Sequence, residues 1–277
     1  WWWLGYLETV IEDGRTTLSE NGQGLAAIPL PAVRHRTACA LEVRHRGAVR
    51  RRRVVVLPEA MLATVRRRLL WLDVGVWDPT GRVQAALRRQ RVPVTDLDTQ
   101  LRQDSFRGGL VVLAGFDDAR DLTRACRSLT GRVREGLSVA VINPPPGWSG
   151  WGVNVLRPDA PWKAPVRFAE GFARHLRPED LGDGPWRSLV QAEGAEELAF
   201  TEAPPQGDVP VRRRALVIRK SVGQGTVLVA KAPSLTAPVD DAVGRALLDG
   251  CLYWILLHET VRSEESEPCS TSQSSQS

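Results

Sequence analysis

The residues best placed to do chemistry are carboxylates and tryptophans beside the ends of apolar runs. Asp117 and Asp118 follow the run LVVLA and precede a helical pattern. Two carboxylates there could act as acid and base, or polarise a sugar hydroxyl. The plainer role for the same pair is to cap the helix that follows. Asp78, Thr80 and Gly81 end an earlier strand and open a helix. A phosphate could rest on such a helix start; a turn with a capping residue explains the same pattern. Glu170 and His175 are acid–base candidates only through their nearness to an irregular stretch. Trp148, Trp151 and Trp162 lie in a Pro-rich stretch. Exposed indoles stack on sugar faces or anchor partners, whereas buried ones would cover the sheet edge.

A covalent mechanism would need its nucleophile at the end of residues 137–142, the strand LSVAVI. A nucleophile elbow is a strand, a strained nucleophile, then a helix start whose free N–H groups hold an oxyanion. Here Asn143 is followed by Pro144, Pro145 and Pro146. Proline has no N–H and a fixed φ, and it biases the preceding residue toward an extended shape. Three in a row predict a polyproline-like rod. No Cys or Ser stands at the strand end; Ser149 comes seven residues after Ile142.

Other chemistries find little support. Cys39, Cys126, Cys251 and Cys269, with four scattered histidines, show no metal or redox spacing, so neither a metal nor a cofactor is expected. No G-x-G-x-x-G or phosphate-loop pattern stands at a strand-to-helix turn. Net charge is +5, and all but Lys163, Lys220 and Lys231 of the basic residues are arginines. The clusters at 50–53, 66–68 and 212–214 are short and abut apolar runs. They read as solvated strand edges, so no nucleic-acid partner is expected. No apolar run approaches the roughly 18 residues that span a bilayer, so no membrane partner is expected. The chain opens Trp1-Trp2-Trp3, a start from which no secretory leader is expected. It is expected to be a fragment, and its compartment stays open.

The elements that must position these residues follow from periodicity. TACALEVR and VRRRRVVVL flank a Gly47 turn and predict a hairpin. A lone hairpin is not stable, so residues 1–58 are expected to close a partial β-sandwich. Residues 59–70 form a linker. From residue 71 the pattern alternates: LDVGVW, a helix over 83–91, VPVTDL, LVVLA, a helix over 119–135, then SVAVI. Short links between strand and helix predict a parallel sheet with helices on both faces. Residues 143–210 read as a long irregular insertion. ALVIR and TVLVA form an antiparallel hairpin, and a helix spans 240–258. Residues 262–277 are Ser/Glu/Gln-rich and expected to be disordered.

The order of elements resembles the class I glutamine amidotransferase-like superfamily. The likeness is to non-glutaminase members found late in bacterial family 2 glycoside hydrolases and other β-galactosidase-type proteins. It is carried by LDVGVWDPTGRVQAALRRQRVPVTDLD, LVVLAGFDDA, LSVAVI, HLRPEDLGDGPW, GQGTVLVAKAPSL and AVGRALLDGCLYWIL. The resemblance implies an α/β fold. It is a mostly parallel flavodoxin-like sheet with helices on both faces and a C-terminal antiparallel hairpin, preceded by a partial β-sandwich. The α/β domain would span 71–261. Asn143 and the prolines replace the Gly-x-Cys-x-Gly elbow, and no His-x-Glu precedes the last helix, so glutaminase activity is not implied. The expected function is a non-catalytic accessory region of a carbohydrate-active protein, for domain packing, oligomerisation or glycan contact. Its partners would be an upstream catalytic domain, a second copy or a carbohydrate. The alternatives are a hydrolase using Asp117, Asp118 or Glu170, and a small-ligand module at residues 78–81.

Overall fold

The computed structural model describes residues 2–6, 9–17, 26–58, 69–98, 104–157, 163–182, 184, 186–202, 213–238 and 240–265. The chain divides into two compact units, Trp1–Met61 and Leu62–Ser277.

The first unit is one antiparallel sheet. Its strands are β1 (Trp2–Tyr6), β2 (Thr9–Gly14), β3 (Thr37–His45) and β4 (Ala48–Val56), in the order β2-β1-β3-β4. Leu4, Cys39 and Val56 form its small core. β3 and β4 are the hairpin that the alternation predicts. The arginines at 50–53 are exposed on edge strand β4, as strand-edge charge requires. The buried carboxylate of Glu42 accepts from Arg44 Nε at 2.5 Å and Arg51 Nε at 2.6 Å. Such a charge tolerates burial only when paired in this way. The described residues of this unit make one sheet, with no second layer among them.

The second unit is built on an eleven-stranded mixed sheet. Its first half holds β5 (Val74–Trp77), β6 (Val94–Asp96), β7 (Leu110–Ala114) and β8 (Ser138–Ile142), with short helices between. All five residues of β7 and all five of β8 are buried, which explains their unbroken apolar sequences. Helix α1 spans Arg82–Arg89 and α2 spans Ala119–Arg134. Leu122, Ala125, Cys126, Leu129 and Val133 of α2 pack on Val111, Leu113, Val139 and Val141 of the sheet. Their three- and four-residue spacing puts them on one helix face.

Residues 143–202 overturn the expectation of an irregular insertion. They contain β9 (Ser149–Gly150), β10 (Val153–Leu156), β11 (Val166–Phe168), β12 (Leu189–Ala192) and β13 (Glu196–Glu202). Strand β14 (Arg213–Val222) and β15 (Gly225–Ala230) follow, then α3 (Ala242–Glu265). α3 packs on β8 and β15. The sheet runs β6-β5-β7-β8-β15-β14-β12-β10-β9, with β13 also on β14 and β11 on β13.

The expected mostly parallel flavodoxin-like sheet with helices on both faces is therefore wrong. Among the described residues of this sheet, six strand pairings are antiparallel and four are parallel. The chain is mostly β, and one sheet curls into a half-barrel. The physical cause is the added antiparallel half. Hairpins need only short turns, so five strands fit where the prolines suggested loop. Of the expected tail, residues 262–265 continue α3 and the rest lies outside the described residues.

Candidate functional site

Parallel strands point their C-terminal ends to one sheet edge, where ligands of open α/β sheets gather. Two turns stand at that edge, one after β5 and β7, the other after β8 and β15.

At the first turn, Asp78 follows β5. Its Oδ1 accepts from the Thr80 backbone N–H at 3.1 Å and the Thr80 hydroxyl at 2.7 Å. Its Oδ2 accepts from the N–H groups of Val83 at 2.7 Å and Gln84 at 3.1 Å. Asp78 thus caps α1 from outside the helix, occupying donors that a phosphate would need. Gly81 has φ +70° and Gly115, after β7, has φ +67°. A Cβ on Gly115 would stand 2.2 Å from Asp78 Oδ1 and 2.5 Å from Thr80 Oγ1. Four donors and a bare glycine close this turn on itself.

The acidic residues beyond β7 are dispersed. Asp118 is the N-cap of α2, accepting from Arg120 N–H at 2.7 Å. Asp117 and Glu170 are exposed. His175 Nε2 lies 3.9 Å from Asp249 Oδ2 of α3. Burial pushes the Asp249 carboxyl up to about 7, against the pull of Arg174.

The tryptophans divide. Trp148 is 1% exposed and belongs to the sheet core, so no face of its ring is open to a sugar. Trp151 is half-buried, packs against the same core, and donates its indole N–H to Thr130 Oγ1 at 3.2 Å. Trp162 lies outside the described residues.

The second turn is open. Asn143 continues the pairing of β8 with β15 by donating its N–H to the Ala230 carbonyl at 2.7 Å. The extended shape expected before Pro144 does not occur: Asn143 has φ +52°. Pro144 disfavours the right-handed region, and asparagine is among the few side chains at ease in the left-handed one. Nor do the prolines form a rod. Trp148 N–H closes a turn on the Pro145 carbonyl at 3.3 Å, and Gly147 N–H reaches the Val155 carbonyl at 2.9 Å. The Asn143 side chain donates Nδ2–H to Thr236 Oγ1 at 3.0 Å. Thr236 ends a 3-10 turn, Pro233–Thr236, between β15 and α3. Gly244 of α3 holds that turn close, since a Cβ there would meet the Ser234 carbonyl oxygen at 2.0 Å.

Asn143 and Thr236 line a cleft of about 350 Å3, with Trp186, Arg187, Ser188, Lys231, Ala232 and Pro233. The indole N–H of the buried Trp186 is held by the Ala164 carbonyl at 2.9 Å, which fixes the ring in the wall. Lys231 is anchored by its backbone, donating to the Leu216 carbonyl at 2.7 Å. Burial pulls its ammonium down to about 8. Asp117, Asp118 and Glu170 do not line the cleft.

Of the sequence candidates, Asp78, Thr80 and Gly81 come together in a closed turn. Lys231, Thr236, Trp186 and Ser188 escaped notice. The available signal was Lys231, one of three lysines in the chain, placed directly after the apolar strand GTVLVA.

No family model matches the chain, and no curated protein matches it. Solved structures give weak likenesses. An exo-β-1,4-mannosidase from Opitutaceae bacterium strain TAV5 has 16% identity and TM-score 0.37, covering 66% of this chain and 35% of its own. A β-galactosidase from Bacillus circulans sp. alkalophilus has 13% identity and TM-score 0.38, covering 68% and 31%. A cytoplasmic protein from Salmonella typhimurium LT2 has 10% identity and TM-score 0.40, covering 80% and 96%. The chain thus spans about a third of the two glycosidase chains. What it shares with glycoside hydrolase chains is a weak, partial structural similarity.

Proposed function

We propose that this chain is a non-catalytic accessory region of a carbohydrate-active protein of the family 2 glycoside hydrolase type. It serves domain packing, oligomerisation or glycan contact, beside an upstream catalytic domain or a second copy. Glycan contact runs through the cleft after β8 and β15. One observation carries this reading. The carboxylates Asp78 and Asp118 are engaged as helix caps, whereas the cleft offers an amide, hydroxyls and an ammonium. Such groups bind hydroxylated ligands; they do not supply the paired carboxylates of a glycosidase.

Calorimetric titration with a panel of mono- and oligosaccharides, beside a chromogenic glycoside screen, tests the proposal. Binding without turnover is expected. Turnover abolished by Asp117→Asn or Asp118→Asn would overturn it in favour of the hydrolase reading.

A further inference from the structure

We infer that the cleft after β8 and β15 takes a small hydroxylated carboxylate of sugar-acid type, its carboxylate against Lys231 and Arg187. This rests on reading the cleft as a ligand site and narrows what enters it.

Three observations converge. The first is charge. Lys231 and Arg187 line the cleft, and among the described residues no Asp or Glu lines it with them. The Lys231 amine has no ion pair among the described residues, although the chain forms such pairs elsewhere, as between Arg219 and Glu196. A half-buried ammonium without a counter-ion is costly unless a ligand supplies one. The second is the remainder of the wall. Asn143 spends an amide proton on Thr236, and its carbonyl, with the Ser188 hydroxyl, leaves hydrogen-bonding capacity for hydroxyls. The third is size. A cleft of about 350 Å3 stands at the small end of ligand sites and suits one sugar ring.

The assignment carries a pH signature. Without ligand, burial holds the Lys231 amine near 8. An anion favours its protonated form, so binding takes up a proton once the free amine has lost it. Affinity is therefore flat below pH 7 and falls above pH 8, by at most about tenfold per unit. Among the described residues, no Asp, Glu, His, Cys or Tyr lines the cleft beside Lys231 and Arg187.

The experiment is calorimetric titration of the full chain with glucuronate, glucose and lactate at pH 6.5, 7.5 and 9, repeated on Lys231→Met and Lys231→Arg. Thermal melts verify that both variants are folded. Glucuronate is expected to bind at least about tenfold tighter than glucose, as a charge-assisted contact provides. Lys231→Met should erase that preference, and Lys231→Arg should keep it while flattening the pH profile. Equal binding of glucose and glucuronate overturns the carboxylate assignment but leaves glycan contact standing. Lactate binding as tightly as glucuronate keeps the carboxylate at Lys231 but overturns glycan contact. A wild-type profile that stays flat to pH 9, or no binding by any of the three, overturns the inference.

Discussion

The two turns at the C-terminal sheet edge start from similar materials and finish differently. After β5 and β7, Asp78 and Thr80 are matched inside the turn. Asp78 accepts four hydrogen bonds and Gly115 makes room for it. After β8 and β15, Asn143 meets Thr236, but the Lys231 ammonium is left half-buried beside a cleft. The first turn stabilises the fold; the second costs it. Polar groups that cost stability are the ones to which a function can be assigned, because packing gives no reason to keep them.

Opposite signs are the measurable content of that contrast. The largest expected effect is Gly115→Ala, which forces a Cβ against Asp78 and Thr80 at a positive φ. It should destabilise by about 3 kcal/mol in urea unfolding, and a loss below about 1 kcal/mol would show the first turn is not closed. Next is Asp78→Ala, which removes the cap of α1 and should cost about 2 kcal/mol. Smallest, and of the other sign, is Lys231→Met. Screened for partial exposure, it should stabilise the chain by about 1–2 kcal/mol at pH 7. The sign follows from proton binding. The folded amine lies near 8 and the ordinary value is 10.5. Between those values the unfolded chain holds more protons, so wild-type stability rises with pH across that window. The advantage of Lys231→Met should fade over the same range. A destabilising Lys231→Met, measured in the same unfolding series, would erase the contrast.

The same edge shows how far the sequence could be read. β7 and β8 are legible because five consecutive buried residues leave no polar position, and α2 because Leu122, Cys126, Leu129 and Val133 keep helical spacing. The antiparallel half is not, because its strands are short. Val153 and Val155 alternate with Asn154 and Leu156 over only four residues, too few to outweigh the prolines before them. Missing those strands also hid their effect on the fold class. Asp78 and Asp118 are legible as caps from their place before helical patterns. Trp148 shows the limit: residue type announces an aromatic anchor, but only the course of the chain through the Pro145 turn decides that it enters the core. Lys231 is hidden for a related reason. Its strand reads as half of a hairpin with β14, and only the pairing of β15 with β8 brings its end to the cleft.

That placement of β15 also sets a schedule. It lies between β8 and β14, with Val227 beside Val139 and Val229 beside Val141. A ribosome delivers β5, β7 and β8 well before β15. Until then the growing chain carries β8 with one edge unpaired, and an open apolar edge invites strands from other chains. Pairings so distant in sequence also form slowly. The step that completes the sheet is thus the late insertion of one strand, and a nascent chain halted before Gly225 would be the form most prone to aggregate.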